Sequence, residues 1–180
     1  TEQFLRSPMV ASPLGVLDAA PVCDGAAALI LCSKAALSAH HRPIRVAASA
    51  IATDTISLAA RRHLTQLDAP RISADKAYRM AQCAAKDVQL FEPHDAFTIM
   101  TTLTLEACGF AEPGTALDLA AQGAFEPSGA LPICTFGGLK GRGHPVGASG
   151  AYQIVEASLQ LRGMAGKNQI AGVKRAMTQS

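Results

Sequence analysis

The sequence has 180 residues, 49% of them hydrophobic and 17% charged, with a formal net charge of +2, the profile of a soluble globular chain of one domain or slightly more and not of a disordered segment. Aromatic residues make up only 4% and Trp is absent, so the core must be filled by Ala, Val, Ile and Leu, as in layered helix and sheet folds. No Lys/Arg run gives an electrostatic case for nucleic acid or an anionic membrane, and the longest apolar run, Ala26 to Cys32, is far short of the ~20 residues that span a bilayer.

The first ten residues lack the charged start and long apolar stretch of a signal peptide, and the sequence carries no initiator Met. Cys23, Cys32, Cys83, Cys108 and Cys134 are scattered without a C-x-x-C pair, which fits reduced cytosolic thiols better than a disulfide framework or a zinc site.

In chain order, residues 25–32 read as a strand buried on both faces, and Ser33 opens a helix over 33–41 that Pro43 ends. Residues 43–53, rich in β-branched side chains, predict another buried strand. The Arg-rich segment 56–67 predicts a surface helix carrying His63. Ser73 is expected to cap a helix with Ala74, Ala77, Met80, Ala81 and Ala84 as its apolar stripe. Residues 88–93 predict a strand, and Asp95 a cap for a helix running to Cys108 with Gly109 as left-handed terminator. Residues 111–130 read as loop with a short helix, 131–136 as a strand, and 145–161 as an amphipathic helix with Ala151, Ile154, Val155, Ser158 and Leu159 inward. A last strand is expected over 169–178.

Strands separated by helices predict an α/β fold with a mostly parallel sheet covered on both faces. His94 follows one predicted strand and His144 another, each just before a helix, so both emerge at the carboxyl edge of one sheet, where open α/β proteins build ligand sites. His144 stands inside GGLKGRGHPVGASG, residues 137–150. Gly137, Gly138, Gly141 and Gly143 allow the chain to leave a strand in conformations a β-carbon forbids, while Gly147 and Gly150 let another backbone or a ligand lie close to the helix start. Free amides after Pro145 would favour a developing anion or an acyl oxygen; a glycine-rich loop closing on the core around a hydrogen-bonded histidine fits the same residues.

Other chemistries fit less well. The loop matches neither a phosphate-binding P-loop nor a dinucleotide fingerprint, and no H-x-x-H or H-x-E pair supports a metal site. Cys134 is a nucleophile candidate by position, though a buried strand cysteine is the stronger reading. His40, His41 and His63 are assigned to the surface.

Three ordered motifs, CDGAAALIL (23–31), EPHDAFT (92–98) and GGLKGRGHPVGASGAYQIVE (137–156), resemble the C-terminal half of the thiolase superfamily, nearest to its sterol-carrier-protein-type and archaeal-like branch. The His-Asp-Ala-Phe of His94 to Phe97 stands where thiolases outside this branch carry Asn-Glu-Ala-Phe. The resemblance implies one half of a layered αβαβα thiolase-like fold with a mixed, mostly parallel sheet. Residues 1–42 would belong with an N-terminal thiolase domain, and 43–180 would form the C-terminal domain, incomplete at its C-terminus.

The implied activity is acyl transfer between a cysteine thioester and coenzyme A, making or cleaving a 3-oxoacyl-CoA. His144 would help activate the nucleophilic cysteine and, with His94, would hold the thioester oxygen. Phe97, Gly143, Pro145, Gly147, Ser149 and Gly150 would contact substrate. Coenzyme A enters as substrate, with no bound cofactor and no metal. A homodimer, a small zinc-ribbon and OB-fold acyl-CoA-binding partner and a cytoplasmic location are implied, with no nucleic acid or membrane span. The nucleophile belongs to the N-terminal half in this family, so the 180 residues alone are expected to be inactive. Cys134-Thr135-Phe136 stands where something like Asn-Thr-Ser is expected, with the bulky Phe136 altering the acyl pocket. Alternatives are a thiolase-fold retro-aldol lyase acting on a CoA thioester, and a non-catalytic module that binds acyl-CoA or lipid or serves as a scaffold.

Overall fold

The computed structural model describes residues 2–38 and 42–180; His40 and His41 lie outside the described residues. A short helix α1 (Glu2–Leu5) leads into an antiparallel hairpin, β1 (Met9–Ala11) with β2 (Leu14–Gly15). The remaining elements are α2 (Asp68–Ala81), β3 (Leu90–Glu92), α3 (Thr98–Ala107), α4 (Ala116–Ala121), α5 (Gly138–Arg142), α6 (Ser149–Arg162) and β4 (Ala176–Thr178).

The positioning element is β3. Its three residues are fully buried and pair in parallel with β4. On its other side Phe91 bridges Ile133 in parallel, its amide donating to the Pro132 carbonyl (3.0 Å) and its carbonyl accepting from the Cys134 amide (3.4 Å). Three chain segments therefore run side by side in one direction, as the alternating pattern predicts.

Behind β3, Phe91 packs with Val88, Ala74, Leu105, Cys108, Ala116 and Leu131, ringed by Tyr78, Phe110, Phe125, Ile133 and Met177. Phe91 and Phe110 lie 4.6 Å apart with tilted rings, and the Tyr78 hydroxyl donates to the Cys108 carbonyl (2.7 Å), which satisfies a buried polar group at the end of α3.

Helix α2 begins at Asp68, earlier than Ser73, because Pro70 in the first turn sacrifices no helical hydrogen bond; Ser73 instead donates to the Pro70 carbonyl. Of its expected stripe, Ala74 is buried and Met80 stands exposed. Gly109 ends α3 at φ +78°, as expected.

The expected strands at 25–32 and 43–53 are not formed, and of the expected helices over 33–41 and 56–67 the described residues form only single 3-10 turns at Lys34–Ala36 and Leu58–Ala60, residues 39–41 lying outside the description. Ile30, Leu31, Val46, Ile51 and Ile56 stand exposed. Their sequences have the content of buried strands, but strand geometry needs a neighbouring ladder, and among the described residues none lies beside them. Residues 131–136 form a single bridge and not a strand, since Cys134 turns left-handed (φ +48°) directly after it.

Candidate active site

His94 follows β3, and the glycine-rich loop with His144 follows the chain segment that pairs with it, so the two imidazoles meet at the carboxyl end of the parallel segments. Their ring centroids are 5.1 Å apart and their planes inclined at 81°. One extended segment holds both loops. Ala19 bridges Phe97 and the Ala20 amide donates to the Ala96 carbonyl (2.8 Å), while Val22 bridges His144, whose amide donates to the Pro21 carbonyl (2.8 Å).

Each ring is tethered through Nδ1. His144 Nδ1 lies 2.7 Å from the Ser149 hydroxyl, and His94 Nδ1 lies 3.4 Å from the Ser180 hydroxyl. The Nε2 atoms carry no hydrogen bond among the described residues. Desolvation, reinforced by the neighbouring His144 and only partly opposed by Asp95, holds the His94 pKa below the ordinary imidazole value. A neutral ring donates one N–H, so two such rings at this separation can point donors at one oxygen.

The glycine loop is built on Asp95. Its buried carboxylate accepts from the backbone amides of Leu139 (2.8 Å) and Lys140 (3.4 Å), in the first turn of α5. Asp95 therefore caps the glycine-rich segment and not the helix that follows it in sequence, and Gly138, at φ +59°, leaves the space the carboxylate fills. Gly143 turns at φ +97°, and a β-carbon there would meet Cys23 Sγ at 2.5 Å. Lys140 Nζ donates to Thr98 Oγ1, which donates to Asp18 Oδ1 (2.8 Å), tying the loop to α3 and to the segment after β2.

Helix α6 supplies the support from below, and its inward face is not the apolar one expected. The buried residues are Ser149, Gln153, Glu156, Ala157 and Gln160, while Ile154 is exposed. These polar groups are buried because each has a partner in the site. Gln153 donates to the carbonyls of Glu92 and Gln179 (both 3.1 Å). Glu156 pairs with Arg142 at 2.5 Å, and the guanidinium also donates to the Gly143 carbonyl and lies 4.8 Å over the Tyr152 ring. Gln160 donates to Thr135 Oγ1 (3.0 Å), and Thr135 donates through both its amide and hydroxyl to Glu92 Oε1. Glu92, fully buried, has its pKa pushed up to about 7, chiefly by desolvation and partly by Glu156. The signal for this network was present as polar residues spaced by helical turns at 149, 153, 156 and 160.

The other expected site residues divide by exposure. Phe97, Val146 and Gly147 lie at the surface, Pro145 is half-buried, and Gly150 sits against the Ser180 side chain. Val146 holds a positive φ of 29°, a strained conformation for a β-branched residue. Ser149 is fully buried behind His144. Cys134 sits in a turn, and burial together with the nearby carboxylates of Asp95, Glu92 and Glu156 drives its thiol pKa far up, so it holds its proton and is no nucleophile. Among the described residues no group of three or more His, Cys, Asp or Glu is arranged to hold a metal ion, and no helix is long and apolar enough to cross a membrane.

The family model described as Thiolase C-terminal domain-like matches residues 50–180. An acetyl-CoA acetyltransferase of Methanothermobacter thermautotrophicus is 44% identical over 98% of this chain and 46% of that protein. Sterol carrier protein 2 of Gallus gallus is 34% identical over 98% of this chain and 33% of its own length. The benzoylsuccinyl-CoA thiolase subunit BbsB of Thauera aromatica is 33% identical over 98% of this chain and 46% of its own. The chain thus spans half or less of the length of these curated relatives. A solved structure of a Ltp2-ChsH2(DUF35) aldolase has the same fold, with a TM-score of 0.77 at 22% identity over 98% of this chain and 47% of that one. With its motifs, its parallel β3 register and a family match over most of its length, this chain belongs to the thiolase C-terminal domain-like family.

Proposed function

We infer that these residues are the histidine-bearing half of a thiolase-like acyl-CoA acyltransferase that makes or cleaves a 3-oxoacyl-CoA through a cysteine thioester. The observation that carries this reading is the convergence of His94 and His144, tethered through Nδ1 with Nε2 unengaged. In this chemistry a cysteine thiolate from another part of the protein attacks the acyl-CoA carbonyl, and the CoA thiolate leaves and takes up a proton. A base from another part of the protein then takes an α-proton from a second acyl-CoA, the resulting enolate attacks the acyl cysteine, and the C–S bond to the cysteine breaks to release its thiolate. Each step places negative charge on a thioester oxygen, which fixed N–H donors stabilise in a site with little water. His94 and His144 are the donors in this scheme, and His144 also assists ionisation of the cysteine by donating a hydrogen bond to its thiolate. Phe97, Gly143, Pro145, Gly147 and Gly150 form the wall along the acyl thioester. Ser149 acts behind His144 and not on the substrate.

Residues 1–42 belong, in this proposal, with an N-terminal thiolase domain, and 43–180 with the C-terminal one. The exposed, strand-like Ile30 and Leu31 support that division, because apolar extended chain of this kind is covered by neighbouring strands. The same reading takes coenzyme A as substrate with no resident cofactor and a homodimer in the cytoplasm. It also includes a DUF35-type, zinc-ribbon and OB-fold acyl-CoA-binding partner, supported by the aldolase assembly of the same fold.

That aldolase also favours a second reading, retro-aldol cleavage of a CoA thioester on the same scaffold. The experiment is to incubate the natural full-length polypeptide with acetyl-CoA and map acylated peptides by mass spectrometry. An acyl group on a cysteine upstream of residue 1 supports acyl transfer. A protein with no such cysteine and no acyl adduct overturns it in favour of the lyase or a binding role.

A further inference from the structure

We propose that Ser149 fixes the tautomer of His144, presenting the imidazole to substrate as an Nε2–H donor. This rests on the reading of His144 as an oxygen-binding group. Ser149 Oγ lies 2.7 Å from His144 Nδ1, and the serine is fully buried with no other side-chain partner among the described residues. A hydroxyl in that position must place its proton somewhere. If it donates to the Nδ1 lone pair, both groups are satisfied, and the single proton of the neutral ring sits on Nε2. If Nδ1–H donated to Ser149 instead, the serine proton would be buried without an acceptor, the costlier arrangement.

The main chain from which the His144 ring projects is itself held. The His144 amide donates to the Pro21 carbonyl (2.8 Å), and its carbonyl accepts from the Cys23 amide (3.4 Å). Ser149 is itself held by α6, where Gln153, Glu156 and Gln160 each engage a different part of the site from the same buried face. The backbones that carry ring and hydroxyl are thus both held, and the hydrogen bond between the two groups selects the proton's place.

The consequence is a preference for the oxygen-binding role of His144 over a proton-accepting one. A ring with its proton on Nε2 stabilises an oxyanion at once, but it cannot accept a proton at Nε2 from a thiol. Accepting one requires Nδ1 to carry a proton first, and then Ser149 must turn from donor to acceptor and leave its own proton unpaired. Ser149 therefore favours the tautomer with its proton on Nε2 over the one with its proton on Nδ1. It is a positioning residue, since it acts through His144.

The test uses the natural full-length protein labelled with nitrogen-15 in histidine, at neutral pH, with the His144 signal identified by its loss in H144A. The expected wild-type signal is that of a single tautomer protonated at Nε2. In S149A the two ring nitrogens move toward averaged shifts, kcat for acyl transfer falls about tenfold, the loss of one hydrogen bond's free energy, and KM changes little. S149T, which keeps the hydroxyl, restores the wild-type pattern. A wild-type ring protonated at Nδ1, an S149A ring with an unchanged tautomer, or an S149A protein with wild-type kcat overturns the proposal. H144A is assayed alongside: if it turns over at the wild-type rate, the oxygen-binding role of His144 is what fails, while the spectroscopic result still reports on Ser149.

Discussion

His94 and His144 meet edge to face with ring centroids 5.1 Å apart. The segment 19–23 joins the two loops, bridging His144 directly through Val22 and the loop of His94 through Ala96 and Phe97. In the proposed scheme each ring contributes a separate donor to the thioester oxygen. Replacing either by Ala in the full-length protein is expected to lower acyl-CoA turnover by ~10² or more, the usual cost of an oxyanion donor. Steady-state kinetics decide it, and near-unchanged turnover in both variants rejects the assignment.

Glu92 makes a pH-dependent cost to stability. Burial pushes its carboxyl pKa up to about 7 in the fold, from an ordinary value of 4.5. Below 4.5 folded and unfolded states are both protonated and nothing is lost. As pH rises through the window from 4.5 to 7, the unfolded chain releases the proton while the folded one keeps it, so stability falls. E92Q retains an oxygen for Thr135 but has no such proton. Its stability relative to wild type is expected to rise by about 1.4 kcal/mol per pH unit across that window. Urea unfolding of both proteins between pH 4.5 and 8 measures it, and a difference that stays flat with pH overturns the assignment to Glu92.

The parallel order of elements, the positions of His94 and His144 at one edge and the left-handed stop at Gly109 were legible because each depends on local pattern: apolar runs, strand-to-helix order and a glycine at a helix end. The partners of Asp95 were not. Nothing in the sequence around Asp95 says that its carboxylate reaches amides 44 and 45 positions away. The face of α6 was misread for a related reason. Hydrophobic periodicity assigns Ile154 and Leu159 inward, but the helix packs over loop backbones whose amides and carbonyls need partners, so Gln153 and Gln160 are buried instead. The segments 25–32 and 43–53 show the converse. Their composition is right for strands, yet composition cannot supply the neighbour that a strand requires.

Gly143 and Gly147 should respond differently to the same substitution. At Gly143 the backbone sits at φ +97° and an added β-carbon would press on Cys23 Sγ at 2.5 Å. G143A therefore strains the chain and pushes away the segment that bridges His144, at an expected cost of about 1–3 kcal/mol. At Gly147 no atom lies within 4 Å of the added carbon, so G147A should stay within about 0.5 kcal/mol of wild type. Chemical denaturation compares the two, and equal effects would show that the crossing of residues 19–23 with the loop contributes nothing.

Arg142 and Glu156 form a pair whose side chains are only 14% and 5% exposed. Each half of such a pair is costly when left alone, by roughly 3–5 kcal/mol, because a buried charge loses its counterion. The two single losses differ in kind. The Glu156 pKa is already raised by burial and is held down only by Arg142, so in R142M the carboxyl can escape the penalty by taking a proton. A guanidinium has no such exit. The destabilisation of R142M should therefore shrink as pH falls from 7 toward 5, whereas that of E156Q, which removes a carboxyl whose pKa is raised in the fold, should grow over the same range. The double variant R142M/E156Q should recover part of either single loss, since it leaves no charge behind. Unfolding free energies of the four proteins at two pH values close the cycle. Equal pH dependence of the two single variants would mean that Glu156 is not the titrating partner and that the loop ahead of His144 is held by other contacts.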